Sequence, residues 1–165
     1  MRKITKLIIH CSASRFGDKA LIDDWHKQRG WKGIGYHYVI LNGCKKNMNY
    51  NIKHDGIIES GRDLNNDAYI ELKERGAHAK GFNRYSIGIC MIGKDKFTPK
   101  QFETLILTCL FYKKLISDIK IIGHYEVNKK KTCPNFDVNI INSILENLSI
   151  MSDIKYYLNK HLSIN

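Results

Sequence analysis

Ile4-Thr5-Lys6-Leu7-Ile8-Ile9 is the segment that decides the fold, and His10 follows it directly. The segment is short, apolar and rich in β-branched residues, which predicts a buried strand over Ile4–Ile9. A second such segment, Lys120-Ile121-Ile122-Gly123, predicts another short strand and is followed by His124. The end of a buried strand holds a side chain rigidly at the rim of a sheet. His10 and His124 are therefore the first candidates for a functional site.

Helical and strand-like segments alternate along the rest of the chain. The alternation predicts an α/β fold, with a mixed central β-sheet flanked by helices in a single domain. Asp55-Gly56 lies between two short strand-like runs and predicts a hairpin turn, which makes the sheet mixed rather than parallel. The other predicted elements are a helix over Lys19–Gln28, a strand over Gly35–Leu41, a polar surface excursion over Asn42–Asn51, mostly loop over Asp63–Lys80, a strand over Tyr85–Ile92, a helix from Thr98 to about Ser117, and terminal helices over Phe136–Leu148 and Ser152–Leu162.

Length and composition exclude several classes of protein. The chain has 165 residues, 43% of them hydrophobic and 26% charged, which is typical of one globular domain rather than a disordered chain. No apolar run approaches the ~20 residues that a membrane-spanning helix needs. The first residues form only a short apolar stretch interrupted by Lys6, so we expect no signal peptide. Five cysteines, an odd number, then favour reduced thiols over a disulfide framework.

The net charge of +11 favours anionic partners. Nucleic acid is one candidate, and the anionic polymers of a bacterial wall are another. The lysines are scattered, with local clusters at Lys45-Lys46 and Lys129-Lys130-Lys131, and no known nucleic-acid-binding motif accompanies them. The charge pattern alone therefore favours a solvated, solubilising surface.

Cys133 could join the two strand-end histidines in a metal site. It lies nine residues after His124, within Lys131-Thr132-Cys133-Pro134. Two imidazoles and one thiolate are a common set of protein ligands for a catalytic Zn²⁺, whose fourth position stays open for water. Spacing alone leaves a second interpretation open, in which the histidines are merely hydrogen-bonded and the thiol is inert.

Several motifs, in order along most of the chain, resemble the zinc-dependent N-acetylmuramoyl-L-alanine amidases. These are the type 2 amidases that share a fold with peptidoglycan recognition proteins, and the chain is most similar to their small phage-lysozyme branch. The matching segments are Ile9-His10-Cys11-Ser12-Ala13, Trp25-His26-Lys27 with Gly30-Trp31, Gly35-Tyr36-His37-Tyr38, Asp55-Gly56 with Glu59-Ser60-Gly61-Arg62, His78-Ala79-Lys80-Gly81-Phe82-Asn83, Ser86-Ile87-Gly88-Ile89-Cys90, Thr98-Pro99 with Gln101, Gly123-His124 with Glu126, and Cys133-Pro134 with Phe136-Asp137.

The resemblance implies a site and a reaction. It implies one zinc ion per chain on His10, His124 and Cys133, with Tyr36 and Lys131 as catalytic residues. The reaction would be hydrolysis of the amide between N-acetylmuramic acid and L-alanine in peptidoglycan, as in cell-wall lysis by a phage endolysin. The segment from His124 to Cys133 is about one residue longer than in the family pattern, so the neighbouring lysines of the 129–131 run compete with Lys131. Counting back from the cysteine favours Lys131.

Other residues receive weaker assignments. His78 lies in a Gly-flanked loop that resembles a substrate-groove segment, and Trp31 is close enough to Tyr36 in sequence to contact substrate. We expect the helical residues His26 and His161 to face solvent. The adjacent Cys11 suggests a cysteine hydrolase, but neighbouring strand residues point to opposite faces, which counts against that alternative.

The resemblance also sets the expected boundaries and partners. We expect a zinc amidase domain over residues 1–148 and a C-terminal helical extension over 149–165 packed on the same domain. We expect peptidoglycan as the partner, no specific nucleic acid, no membrane insertion and a monomer. Synthesis in the cytoplasm, with action on the cell wall after release or delivery, follows from the missing signal. The alternatives are a non-catalytic peptidoglycan-binding module of the same fold and a basic nucleic-acid-binding protein.

Overall fold

The structure is a computed structural model that describes residues 1–148 and 150. Its strands are β1 (Arg2–Lys3), β2 (Lys6–Cys11), β3 (Tyr38–Asn42), β4 (Asp55–Ser60), β5 (Tyr69–Ile70), β6 (Ser86–Met91) and β7 (Lys120–Gly123). Its helices are α1 (Lys19–Gln28), α2 (Pro99–Leu115), α3 (His124–Val127) and α4 (residues 139–148), with a 3₁₀ helix over Ile52–His54.

The central sheet has five strands in the order β4–β3–β6–β2–β7. The β3–β4 pair is antiparallel, whereas β3–β6, β6–β2 and β2–β7 are parallel. Strands β1 and β5 form a separate antiparallel pair. The register places Ile9 of β2 beside Ile89 of β6 and Gly123 of β7. The mixed sheet and the single α/β domain that the sequence predicted are confirmed.

Helices cover both faces of this sheet. Leu7 and Ile89 point to one face, where they pack with Leu105 of α2 and Ile141 of α4. On the other face, Ile22 of α1 packs in a smaller cluster with residues of β3 and β6. Strands β2 and β6 are buried on both sides, which explains why their sequences are apolar without alternation.

The start of α2 follows the sequence prediction closely. The Thr98 hydroxyl accepts a hydrogen bond from the Gln101 backbone N–H at 3.1 Å, and the Gln101 side-chain oxygen accepts one from the Thr98 N–H at 3.0 Å. This reciprocal cap fixes the first turn. The Gln101 amide also donates to the carbonyls of Ile40 and Ile92, which ties the helix to the sheet.

Two predicted strands are displaced in the structure. The first runs from Lys6 to Cys11 rather than over Ile4–Ile9, because its last residues pair with Cys90 and Met91 of β6. His10 therefore lies inside the strand rather than after it. The strand predicted over Gly35–Leu41 begins only at Tyr38.

Asp55-Gly56 is not a hairpin turn, contrary to the sequence prediction. Strand β4 begins at Asp55, and Gly56 has a φ of 76° where β4 carries one extra residue opposite β3, a β-bulge. The Asp55 carboxylate accepts hydrogen bonds from the hydroxyls of Thr98 and Tyr50, which ties the start of the strand to α2.

The remaining predictions fall into three groups. Residues 42–51 do connect β3 to β4, with 46–50 exposed, although Gly43 and Cys44 are buried. The segment Asp63–Lys80 is mostly loop but also contains β5. The helix predicted over Ser152–Leu162 and nearly all of the 149–165 extension lie outside the described residues.

Among the residues that the structure describes, no helix has the length and hydropathy needed to cross a membrane.

Candidate metal centre

Three potential metal ligands converge at the carboxyl ends of two parallel strands. His10 is the fifth residue of β2, and His124 is the first residue of α3, directly after β7. Because Ile9 pairs with Gly123, the two histidines are neighbours, and their ring centroids are 4.5 Å apart. Cys133 Sγ lies 3.3 Å from His124 Nδ1 and 3.9 Å from His10 Nδ1.

The geometry of this donor set suits a zinc ion. The three ligand atoms all lie within 4.8 Å of one another, and both histidines are buried while Cys133 is half-buried. Zn–N bonds of ~2.0–2.1 Å and a Zn–S bond of ~2.3 Å place nitrogen and sulfur about 3.5 Å apart on a tetrahedral ion. The two measured Sγ–Nδ1 separations bracket that value. Two neutral imidazoles and a thiolate are also ligands of the type that Zn²⁺ prefers.

The surroundings of Cys133 favour its neutral thiol over the thiolate. A hydrogen bond with Cys11 and burial together hold the pKa of Cys133 well above its usual range. The loop around it is well fixed, because the Tyr125 N–H donates to the Cys133 carbonyl at 3.2 Å and the Lys131 N–H to the Asn128 carbonyl at 2.9 Å. A divalent cation would deprotonate the thiol on binding.

His78 lies directly beside His10. Its Nδ1 is 3.0 Å from His10 Nε2, and its Nε2 faces the hydroxyl and the carbonyl oxygen of Ser86 at 3.4 and 3.5 Å. The side chain is buried, and burial lowers its pKa to about 3. Both ring nitrogens therefore have protein partners, although an edge of His78 still lines the neighbouring groove.

Tyr36 packs against the ring of His10, with ring centroids 5.1 Å apart. Burial holds the pKa of its phenol well above the usual value, and the neighbouring thiols of Cys90 and Cys133 add to the rise. At neutral pH, Tyr36 is thus a hydrogen-bond donor and not a phenolate.

A groove of about 860 Å³ opens beside the three ligands. Tyr36 and Trp31 line it, and Trp31 is 40% exposed. Lys130 and Lys131 line it as well, whereas Lys129 is not among the described residues that line the groove. The charge of Lys131 contributes, after burial, to lowering the pKa of His124, which places this ammonium within electrostatic reach of the ligands.

The groove is strongly cationic. Among the described residues that line it, none is acidic. Six are basic, namely Arg29, Arg75, Lys80, Arg84, Lys130 and Lys131. Sequence reasoning missed the first four. Arg29 follows α1, and the other three are spaced along the connection between β5 and β6, so only the three-dimensional structure reveals that all four line one groove with Lys130 and Lys131.

His26 corrects one sequence prediction. It is buried, not solvent-facing, because its Nδ1 accepts a hydrogen bond from the Gly35 N–H at 3.0 Å and its ring packs against Trp31 and Tyr36. The other helical histidine of that prediction, His161, lies outside the described residues.

Several known proteins are similar to this chain in sequence or in fold. The profile of the family described as N-acetylmuramoyl-L-alanine amidase (Amidase_2) matches residues 1–136. The endolysin of Escherichia phage T7 is 34% identical over 145 residues, which cover 80% of this chain and 81% of the endolysin. The endolysin of Klebsiella phage KP32 is 30% identical over 152 residues, 83% of this chain and 84% of the relative. Among solved structures, the N-acetylmuramoyl-L-alanine amidase LysC from Clostridium intestinale URNW superposes with a TM-score of 0.70 at 27% identity, covering 88% of this chain and 87% of LysC.

Proposed function

Because the chain belongs to the N-acetylmuramoyl-L-alanine amidase family and is a peptidoglycan-cleaving amidase, we propose that it works with one Zn²⁺ held by His10, His124 and Cys133. The single observation that carries this proposal is the convergence of three suitable donor atoms within 4.8 Å of one another, beside a groove. The bond cleaved is the amide between the lactyl group of N-acetylmuramic acid and L-alanine. A zinc ion in such a site supplies a nucleophilic water at neutral pH and polarises the amide carbonyl.

Lys131 is the proposed stabiliser of negative charge. Attack on an amide carbonyl places negative charge on its oxygen, and a positioned ammonium lowers the energy of that state. Lys131 lines the groove two residues before Cys133, and its charge reaches His124. Lys130 also lines the groove and is the competing candidate.

Tyr36 is proposed to orient the reacting groups. Its raised pKa keeps the phenol protonated, so its hydroxyl can donate a hydrogen bond to the reacting amide or to the attacking water. Trp31 forms an exposed aromatic surface at the groove and is proposed to contact the substrate.

The cationic lining supports an anionic substrate. Peptide stems of peptidoglycan carry free carboxylates, and a cleft lined by charges of one sign raises the local concentration of the opposite charge. We expect the enzyme to act as a monomer on the cell wall, without a nucleic-acid partner.

One experiment separates this proposal from a binding module of the same fold. Purified peptidoglycan is incubated with the zinc-loaded protein, with the protein after removal of metal by a chelator, and with that protein after zinc is restored. We expect new free amino termini in the first and third samples only. Wall binding without any release, at a zinc content of one per chain, would contradict the catalytic proposal.

A further inference from the structure

His78 and His10 form a hydrogen-bonded pair whose direction can be derived. His78 Nδ1 and His10 Nε2 are 3.0 Å apart, and each ring is nearly fully buried. Of two neutral imidazoles in such a contact, one nitrogen donates its hydrogen and the other accepts it. The remaining hydrogen-bond partners of His78 determine which of the two nitrogens is the donor.

Ser86 requires the hydrogen of His78 on Nε2. The Ser86 hydroxyl donates its own hydrogen to the Phe82 carbonyl at 2.8 Å, so towards His78 it can only accept. The Ser86 carbonyl oxygen is an acceptor as well. A hydrogen on Nε2 satisfies both groups, and it leaves Nδ1 of His78 as a lone-pair acceptor.

The consequence passes on to His10. Since His78 Nδ1 accepts, His10 must donate from Nε2, and a neutral imidazole has no second hydrogen. Nδ1 of His10 is then a free lone pair, and this is the atom that faces Cys133 Sγ. The chain of contacts from the Phe82 carbonyl to His10 thus prepares the nitrogen that would bind the metal.

The surrounding backbone leaves His78 little freedom to turn. A Cβ atom on Gly88 would lie 2.5 Å from the His78 ring, and one on Gly76 would lie 2.8 Å from it, so both positions need glycine for the ring to fit. The Asn83 side-chain oxygen accepts from the backbone N–H groups of His78 and Ala79 and fixes the loop that carries the ring.

We propose that His78 is a positioning residue that holds His10 in the Nε2–H tautomer, so that His10 binds zinc through Nδ1. This role is separate from the substrate contact predicted for His78 from sequence, which stays a prediction, and it rests on the zinc site proposed above. Residues that hydrogen-bond a metal-ligating histidine usually contribute ~10–100-fold to metal affinity.

The first test needs no substitution. Long-range ¹H–¹⁵N correlation spectra of the imidazoles report which nitrogen of each histidine carries hydrogen. We expect Nε2–H at both His10 and His78 in the zinc-free protein at pH 7.5, and the same tautomer with a zinc-bound Nδ1 at His10 after loading. A hydrogen on Nδ1 of His10 in the zinc-free protein would overturn the proposal.

The second test measures zinc affinity by competition with a chromogenic chelator. We expect His78→Leu, which fills the space but removes the acceptor, to weaken zinc binding by ~10–100-fold. His78→Asn places an amide oxygen near the position of Nδ1 and should restore most of the affinity. His37→Leu is the matched control: His37 is equally buried, but its ring nitrogens bond to Glu74 and Gly88, so its loss should leave zinc affinity close to that of the parent.

The outcomes distinguish this inference from the proposed function. A parent that binds zinc, with a His78→Leu variant that binds it equally tightly, overturns the role of His78 and leaves the zinc amidase intact. A parent that takes up no zinc overturns both. If His78→Leu does not fold, the role of His78 is tested by the tautomers of His10 and His78 in the parent protein and by the zinc affinity of His78→Asn.

Discussion

Two parts of the site, which we call the histidine wall and the cationic wall, are built in opposite ways. The histidine wall consists of His10, His37 and His78, which are buried and held by hydrogen bonds to protein groups, and of which only His78 lines the groove. The cationic wall consists of exposed basic side chains on separate loops, namely Arg29, Arg75, Lys80, Arg84, Lys130 and Lys131.

The difference separates metal binding from substrate binding. Burial lowers the pKa of His37 to about 4 and that of His78 to about 3, so the histidine wall is neutral at pH 7. Neutral imidazoles offer the lone pairs that a metal needs. The charged groups of the cationic wall are exposed and so remain accessible to an anionic substrate. Substitutions of His10 or His78 should therefore change metal content, a substitution of His37 should change stability alone, and the loss of charges from the cationic wall should change turnover or substrate affinity.

The largest effect is expected at the metal ligands themselves. Cys133→Ala removes the thiolate, so bound zinc should fall from about one per chain to near zero and amidase activity should disappear. Cys44→Ala is the control, since this buried cysteine lies outside the groove lining. Elemental analysis and release of amino termini provide the readouts. Full zinc content in Cys133→Ala would refute the ligand set.

A smaller loss is expected on the cationic wall. Lys131→Ala should keep its zinc and still bind wall fragments, while kcat falls by ~10²–10³ because one transition-state contact is lost. Tyr36→Phe should act similarly with the fold unchanged. Lys129→Ala and Lys130→Ala should leave kcat nearly unchanged in the same assay, normalised to zinc content, because neither residue lies two positions before Cys133. Loss of activity in Lys130→Ala but not in Lys131→Ala would show that Lys130 is the catalytic lysine, because the longer segment between His124 and Cys133 has shifted the lysine positions by one residue.

The histidine wall should also make stability depend on pH. The folded pKa of His37, about 4, lies below its ordinary value of 6.5, so between these values the unfolded chain binds a proton that the folded chain excludes. The free energy of unfolding should therefore fall as the pH drops from 6.5 to 4, by at most about 3 kcal/mol from this residue. His78 acts in the same direction.

Urea unfolding of the zinc-free protein at several pH values measures this effect. His37→Asn should flatten the pH dependence relative to the parent protein. An equally steep dependence in His37→Asn would assign the effect to other groups.

Substitution of arginines in the cationic wall should have modest effects on substrate affinity. Arg75→Gln combined with Arg84→Gln should raise KM for peptidoglycan by a few fold and weaken its salt dependence, with kcat unchanged, because each exposed charge contributes ~0.2–1 kcal/mol. Lys114→Gln on α2 removes one charge outside the groove and serves as the control. A change in kcat rather than KM would place these arginines in the chemistry.

The smallest effect is expected away from both walls. Replacing residues 46–49 with a shorter glycine linker should alter neither zinc content nor activity, because these residues are exposed. Tyr50 must be kept, since its hydroxyl bonds to Asp55 at the start of β4. Precipitation or metal loss in the trimmed variant would show that the excursion has a structural role.

Local patterns were sufficient to predict much of the fold and part of the site. The β-branched run before His10, the cap at Thr98 and Gln101, and the position of His124 after a short strand all depend on neighbours in sequence. Those signals predicted the sheet and α2, and they indicated that His10 and His124 lie at the ends of buried strands.

Features that depend on distant contacts could not be predicted in this way. The burial of His78 depends on the nearby Gly76 and on Gly88 of β6, which leave room for its ring. In the same way, a helical pattern in the sequence cannot show that the His26 ring packs against Trp31. The β1–β5 pair has only two residues in each strand, too few for a recognisable period. Each of these features arises from tertiary packing.

The parallel pairing of β2 with β7 has a consequence for folding order. His10 and His124 are neighbours in space, yet more than a hundred residues separate them along the chain, so the site has a very high contact order. The loop entropy of bringing such distant segments together is lost before their contacts can stabilise the structure. During synthesis, the donor set cannot be complete until the ribosome has added Cys133. Zinc capture should therefore report the last stage of folding, and catalysis cannot begin on a partly made chain.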